Sequence, residues 1–341
     1  MEGASERRRA NWARLRQGNP RGDRRPYVLH LANLYASPAD EHGIATFAEA
    51  VAEGSQGLVR VKFVNSWASD ADRHEERSLI LDVARGRADL GWAGTRVFGT
   101  LGVRSLDPLQ APFLIDTYER QRQVCSTEIP AEMLERLEQL GLVGLAVLPG
   151  ALRKPFGLRS PFISPNHFAG AVVRTHESTV GDAAFRALGA TPVLLSAKEM
   201  RRAVSVGVDG MDLHASAVAG WGYTGHLTWN VNLWPRMLAI VANRNLFSRL
   251  GDDLQQLLRG AASRSAVQAT LGMIDQERLD RESLPADIVV YESTDDDKRE
   301  LRARVEPVYR DLRSDPEARG FVARLETILE SAQSDPAGEP K

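Results

Sequence analysis

Between residues 27 and 94 the chain alternates strand patterns with helix patterns, and that alternation restricts its fold more than any other feature. Residues 27–34, YVLHLANL, alternate and then run apolar, which reads as a first strand. Ser37, Pro38, Ala39 and Asp40 break it and can start a helix. Ile44, Phe47, Ala48, Val51 and Ala52 then form a helical stripe, which Gly54 and Gly57 end. VRVKFV at 59–64 is a second strand, Leu79, Ile80, Val83 and Ala84 mark a second helix, and ADLGWAG at 88–94 is a third strand. Strand, helix, strand, helix, strand is the pattern of a parallel sheet covered by helices. Such sheets bind ligands outside the carboxyl ends of their strands. That points to the loops 35–42, 65–68 and 92–98, which carry Tyr35, Trp92 and Arg96.

The pattern then recurs. LDPLQAPFLI at 106–115 is a structured connector, helices are predicted at 117–126 and 130–140, and GLVGLAVLP at 141–149 is a buried strand. Further strands are expected at 170–174, 191–195, 208–214, 227–234, 237–243 and 286–292, and helices at 180–188, 198–205, 295–313 and 317–332. A second series of strands and helices argues for a second α/β domain. The stretch 252–282 has no internal proline and reads as one helix, about 46 Å long at the standard rise and able to span both domains.

The segment GALRKPFGLRSPFISPNHFAGAVVRT, 150–175, carries three arginines. Arg153 follows an apolar strand, Arg174 closes another, and Arg159 lies in a loop punctuated by Pro155, Pro161 and Pro165. A guanidinium at a strand end facing a crevice suits a carboxylate, which it grips with two parallel hydrogen bonds. An interdomain salt bridge or a solvated arginine is the alternative for either residue.

Composition limits the function classes. The 341 residues carry 43 basic and 45 acidic side chains, so no overall positive field points to nucleic acid. The one cysteine, Cys125, excludes an internal disulfide framework. No apolar run approaches the roughly 18 residues of a membrane span. Residues 1–26 hold eight arginines against Glu2, Glu6 and Asp23 without a following apolar stretch, which reads as a disordered basic tail and not a signal peptide. The end, 333–341, reads as a second disordered tail.

Enzyme and cofactor motifs are absent from the sequence. The segment 220–225, GWGYTG, matches GxGxxG in form, but it does not open a helix after a first strand, so a crossover loop is expected there. His42 and His214 fall at expected cleft edges, and no nucleophile, base or paired carboxylates stand at compelling spacing. Neither a cofactor nor a metal is expected. Trp92, Phe98, Trp221, Trp229 and Trp234, near the expected cleft, point to an apolar or aromatic acid.

From about residue 27 to residue 330 the chain resembles the solute-binding proteins of tripartite ATP-independent periplasmic (TRAP) transporters, of the dicarboxylate-binding type. The resemblance rests on an ordered set of segments: FAEAVAEGSQGLVRVKFV, LDVARGRADLGW, LDPLQAPFLI, FAGAVVRT and ALGATPVLLSAKEMRRAVSVGVDG. It implies an α/β fold of two domains, a ligand cleft between them, and a long helix spanning both. Domain one would hold residues 27–150 and 238–283, and domain two residues 151–237 and 284–332. The family's carboxylate-binding arginine maps onto Arg174, and Arg153 falls where many members carry a second. After the Val-Asp-Gly turn, Asp212 and His214 take positions of polar ligand contacts. Leu213 stands where sialic-acid-binding members carry asparagine, which argues against sialic acid. Trp92, Arg96, Tyr35 and Trp234 would line the remaining cleft.

The implied function is capture of a small carboxylate outside the cytoplasm, in the periplasm or on the cell-envelope exterior, and delivery to a TRAP membrane permease, without enzymatic turnover. A ligand-sensing protein coupled to a signalling partner, and an enzyme on a recruited α/β fold, are the alternatives.

Overall fold

The computed structural model describes residues 26–202, 207–220 and 222–331. The tails expected at 1–26 and 333–341 fall outside them apart from Pro26, as do Trp221 and the end of the helix expected at 198–205. The strands are β1 Tyr27–Ala32, β2 Val59–Val64, β3 Leu90–Gly94, β4 Leu142–Leu148, β5 Leu152–Gly157, β6 Val172–Thr175, β7 Thr191–Leu194, β8 Gly210–Leu213, β9 Gly225–Thr228, β10 Trp234–Pro235, β11 Leu238–Asn243 and β12 Ile288–Tyr291.

They form two sheets, and each builds a lobe. The first runs β2-β1-β3-β11-β4, with β1 parallel to β2 and β3. β11 returns from the second lobe and inserts antiparallel between β3 and β4. The second runs β12-β9-β5-β8-β6-β7, with β10 added to β5. Three chain crossings therefore join the lobes, at 149–151, at 235–238 and at 271–272.

Both faces of the first sheet are covered, which explains why its central strands are apolar throughout. Leu238, Ile240 and Ala242 of β11 meet Phe47, Val51, Leu254 and Leu258 from the helices His42–Gly54 and Asp252–Thr270. Ala239 and Val241 turn the other way, toward Leu79, Val83 and Met133. This period of two follows from the pleat. The second lobe has its own apolar layer of Phe156, Met211, Leu213, Leu227 and Ile288. A third layer joins the lobes. In it, Leu301, Leu312, Val322 and Leu325 from the three C-terminal helices pack with Phe98 and Val103 on one side and Val173 and Phe185 on the other.

Four expectations are corrected. The helix read over 252–282 is two helices, Asp252–Thr270 and Met273–Glu282. Gly272 between them has φ +82°, a left-handed conformation that ends a helix as surely as proline does. The first helix lies on the first lobe, and the second packs on the Ala215–Gly220 turn of the second. The bridge is thus made by a broken pair.

The loop expected around Pro155 is a strand. β5 pairs with β10 at Leu152 and Arg153 and with β9 at Phe156 and Gly157. The missing N–H of Pro155 falls where one partner gives way to the other, so no ladder bond is lost. The strand expected over 227–234 stops at Thr228 and resumes at Trp234. The helix expected over 295–313 breaks after Arg304, and a new one starts at Glu306 with Pro307 in its first turn.

Candidate functional site

A cleft of about 670 Å³ opens between the lobes. The first lobe supplies Leu34, Tyr35, Ser66, Trp67, Glu75, Glu76 and Arg96, from just beyond β1, β2 and β3. These are the carboxyl ends where the fold rule places a ligand. The second lobe supplies Arg153, Arg174, His176, Leu213 and His214, and Arg236 comes from the crossing between them.

Arg174 lies in β6, between β7 and β8, and is buried to 7% exposure. Its Nη1 donates to Nε2 of His176 at 2.8 Å and its Nη2 to the Leu195 carbonyl at 3.3 Å. Its Nε has no partner. Among the described residues no carboxylate forms an ion pair with it. Burial lowers its pKa, against the pull of the Asp212 carboxylate.

The other three arginines are held by acids. Arg153, in β5, donates Nη1 to the Asp212 carbonyl at 3.0 Å and to Asp212 Oδ2 at 3.2 Å. Burial pushes Arg153 down to about 10, still charged at neutral pH. Arg96 pairs with Glu76, whose Oε1 also accepts the Gly94 N–H at 2.9 Å. Burial disfavours the Glu76 anion, but Arg96 and that N–H prevail and hold its pKa below the usual value. Gly94 leaves room for the Arg96 head, because a Cβ there would lie 1.8 Å from Arg96 Nη1 and displace it. Arg236 donates to Glu41 Oε2 at 2.6 Å and to the Tyr35 hydroxyl at 2.8 Å.

Both cleft histidines are neutral at pH 7. Burial and the neighbouring guanidinium groups hold His176 and His214 well below their ordinary value. His214 Nδ1 meets the Ser216 hydroxyl at 2.7 Å. Glu75 faces the cleft from the first turn of the helix Glu75–Ala84. Burial, followed by the adjacent Glu76, raises its pKa to about 7, although Arg174 and Arg96 pull the other way.

Across the mouth, the two lobes touch through complementary groups. The Lys198 N–H donates to the Asp70 carbonyl at 2.9 Å and Arg201 to Asp70 Oδ2 at 2.5 Å. Arg73 Nε donates to Glu199 Oε2 at 2.8 Å.

Of the residues singled out in the sequence, Tyr35, Arg96, Arg153, Arg174 and His214 come together at the cleft wall. Three others stand behind it. Asp212, 3% exposed, orients Arg153. Trp234 donates its indole N–H to Asp212 Oδ2 at 3.3 Å. Trp92, fully buried, donates to Asn33 at 3.1 Å and packs against Tyr35 with ring centroids 5.3 Å apart. Trp229 lies under Lys154 and Arg281, and Phe98 is in the shared core. The aromatic residues behind the expectation of an aromatic acid are therefore wall supports and core, with Trp67 alone of the described tryptophans on the cleft surface.

Arg236, Glu41, Glu75, Glu76 and His176 were missed. Glu75 and Glu76 precede the first apolar residue of their helix, so the stripe gave no reason to count them. The one available signal for Arg236 was its place just after the Trp-Pro pair that closes the 229–235 segment.

Among the described residues no cluster of histidine, cysteine and acids is arranged to hold a metal ion. What the cleft offers is a desolvated cation without a counter-ion, surrounded by fixed polar groups. Such an arrangement is chemically able to bind and orient an anion.

The chain has recognisable relatives among known proteins. Residues 36–315 match the family model described as "Bacterial extracellular solute-binding protein, family 7". The chain is 25% identical over 261 residues to the C4-dicarboxylate-binding periplasmic protein DctP of Rhodobacter capsulatus, covering 72% of this chain and 73% of that protein. It is 23% identical over 258 residues to the 2,3-diketo-L-gulonate-binding periplasmic protein YiaO of Escherichia coli K12, covering 71% and 74%. In fold it is similar to a TRAP periplasmic solute-binding protein from Roseobacter denitrificans crystallised with β-D-glucuronate. The TM-score is 0.76 at 20% identity, over 88% of this chain and 99% of that one. With its family model covering most of its length, the chain belongs to the family 7 bacterial extracellular solute-binding proteins.

Proposed function

We propose that this protein captures a small organic acid outside the cytoplasm, grips its carboxylate with Arg174, and delivers it to a membrane permease of the TRAP type. One observation carries the reading: Arg174 is a buried cation with an unpartnered Nε and no carboxylate of its own. A desolvated charge without a counter-ion is costly, and a ligand carboxylate relieves that cost. The relatives' named ligands, C4-dicarboxylates and 2,3-diketo-L-gulonate, are acids, which supports it.

Arg153 and Arg96, each held by an acid, shape the wall and contribute through their free N–H groups. The first lobe, 27–150 with 238–270, would close on the second, 151–237 with 273–331, and the helix Met273–Glu282 would move with the second lobe, on which it packs. Closure excludes water and strengthens the arginine–carboxylate contact. The mouth contacts from Arg73 and Arg201 are suited to hold the closed form, and the closed surface is what a permease would read.

The test is thermal unfolding against C4-dicarboxylates, 2-oxo acids, aromatic acids and sugar acids, with their amides as controls. The protein is first unfolded and refolded to release any bound ligand. A ligand at about 1,000 times its Kd stabilises the native state by roughly 4 kcal/mol. A shift with an acid, absent with its amide and lost in Arg174→Ala, is expected. No shift with any acid, or an affinity that stays within a few-fold in Arg174→Ala, rejects the proposal.

A further inference from the structure

Four guanidinium groups reach the cleft, and three already have a carboxylate. Arg96 has Glu76, Arg153 has Asp212, and Arg236 has Glu41. Arg174 alone has none. One cleft carboxyl is left over in the same way. Glu75 lines the cleft, and among the described residues it forms no hydrogen bond or ion pair. Building on the carboxylate-receptor reading, we infer that the cleft selects hydroxylated acids with a single carboxylate, and that Glu75 turns away a second.

The argument is a charge count at short range. A ligand carboxylate on Arg174 satisfies the one unpaired cation. A second carboxylate on the same small molecule finds no free cation in the cleft. Arg96, whose Nε is also unpartnered, has its charge matched by Glu76, which accepts the Gly94 N–H as well and is not released without leaving that group unpaired. Above about pH 7, where Glu75 is ionised, the second anion would instead face Glu75 and Glu76 at close quarters, and like charges in a partly desolvated site repel strongly. A hydroxyl group on the ligand has the opposite experience, because the Glu75 carboxylate accepts its hydrogen. The Tyr35 hydroxyl, His176 and His214 are further uncharged polar partners around it.

Titration calorimetry on the refolded protein at about pH 8, where Glu75 is ionised, with three matched pairs tests this: lactate and malate, succinamate and succinate, glucuronate and glucarate. In every pair that binds, the acid with one carboxylate is expected to bind at least tenfold more tightly. Glu75→Gln, nearly the same shape without the charge, is expected to narrow that ratio to within threefold. Its unfolding midpoint without ligand confirms that it folds. A dicarboxylate that binds as tightly as its partner, or tighter, overturns the inference, as does an unchanged ratio in Glu75→Gln or silence from all six acids. The two readings fail differently. A tightly bound succinate or malate whose affinity collapses in Arg174→Ala removes this inference and leaves the receptor reading standing.

Discussion

Arg153 Nη1 lies 3.0 Å from the main-chain carbonyl and 3.2 Å from the carboxylate of Asp212, so one residue holds this guanidinium through two different oxygens. The indole of Trp234 adds a hydrogen bond to the same carboxylate. Arg153 is thereby aimed and largely neutralised before any ligand arrives.

Asp212→Ala is expected to cost about 3 kcal/mol of folding stability, because it leaves a buried guanidinium without its anion. Denaturant titration checks it. A loss under about 1 kcal/mol would mean that Arg153 finds water or another acid, and that Asp212 does not position it.

Lys154 is 2% exposed and reaches Glu277 at 2.7 Å, the Asn232 side chain at 2.6 Å and the Trp229 carbonyl at 2.9 Å. It ties β5 to the helix beyond Gly272. Lys154→Met alone should destabilise by about 3 kcal/mol, and adding Glu277→Gln should recover more than half of that. Urea unfolding of the double-mutant cycle is the measurement. Additive losses would show that the pair does not act as a unit.

The mouth contacts are exposed, so they should matter for release more than for folding. Arg73→Ala is expected to leave the unfolding midpoint nearly unchanged and to speed ligand release by roughly two- to fivefold, less at high salt. Stopped-flow release of the acid found in the thermal screen, at low and high salt, decides it. An unchanged release rate removes the mouth from closure.

Glu75 sets a pH dependence. Its folded pKa is raised to about 7, first by burial and then by Glu76, with Arg174 and Arg96 opposing and Asp72 adding to the rise. A carboxyl with a raised folded pKa contributes stability that is fully present below its unfolded value and lost as pH rises through the folded one. The window therefore runs from the ordinary glutamate range up to about pH 7. Glu75→Gln should be more stable than the parent at pH 8, by on the order of 1–2 kcal/mol after allowing for solvent screening, and no more stable at pH 4. Unfolding midpoints across that range are the check. A constant difference with pH would mean that Glu75 titrates normally.

Arg174 was legible because its segment, AGAVVRT, ends an apolar strand on a cation, and a charge in that place needs a reason. Arg236 was not. Its partners, Tyr35 and Glu41, lie about 200 positions earlier, and no local pattern reports a pairing at that separation. The stretch 252–282 was read as one helix because it has no internal proline, and a lone glycine in a helical pattern is not by itself a stop. Pro155 was read as loop because a proline inside a strand is allowed only where the ladder changes partner. That change is made by β9 and β10, more than 70 residues further on.

The chain by itself determined its class and the order of nearly all its strands and helices, and it set Arg174 at the end of an apolar strand. Those are local matters of period, apolar content and turn residues, and they survive without knowledge of the partners. Only the tertiary structure decided which arginines are already neutralised, which tryptophans support the wall from behind, and that Glu75 and Arg174 line one cleft from different lobes. Charge compensation and burial are sums over neighbours brought together from both lobes, and the sequence carries no record of those sums until the two sheets are set against each other.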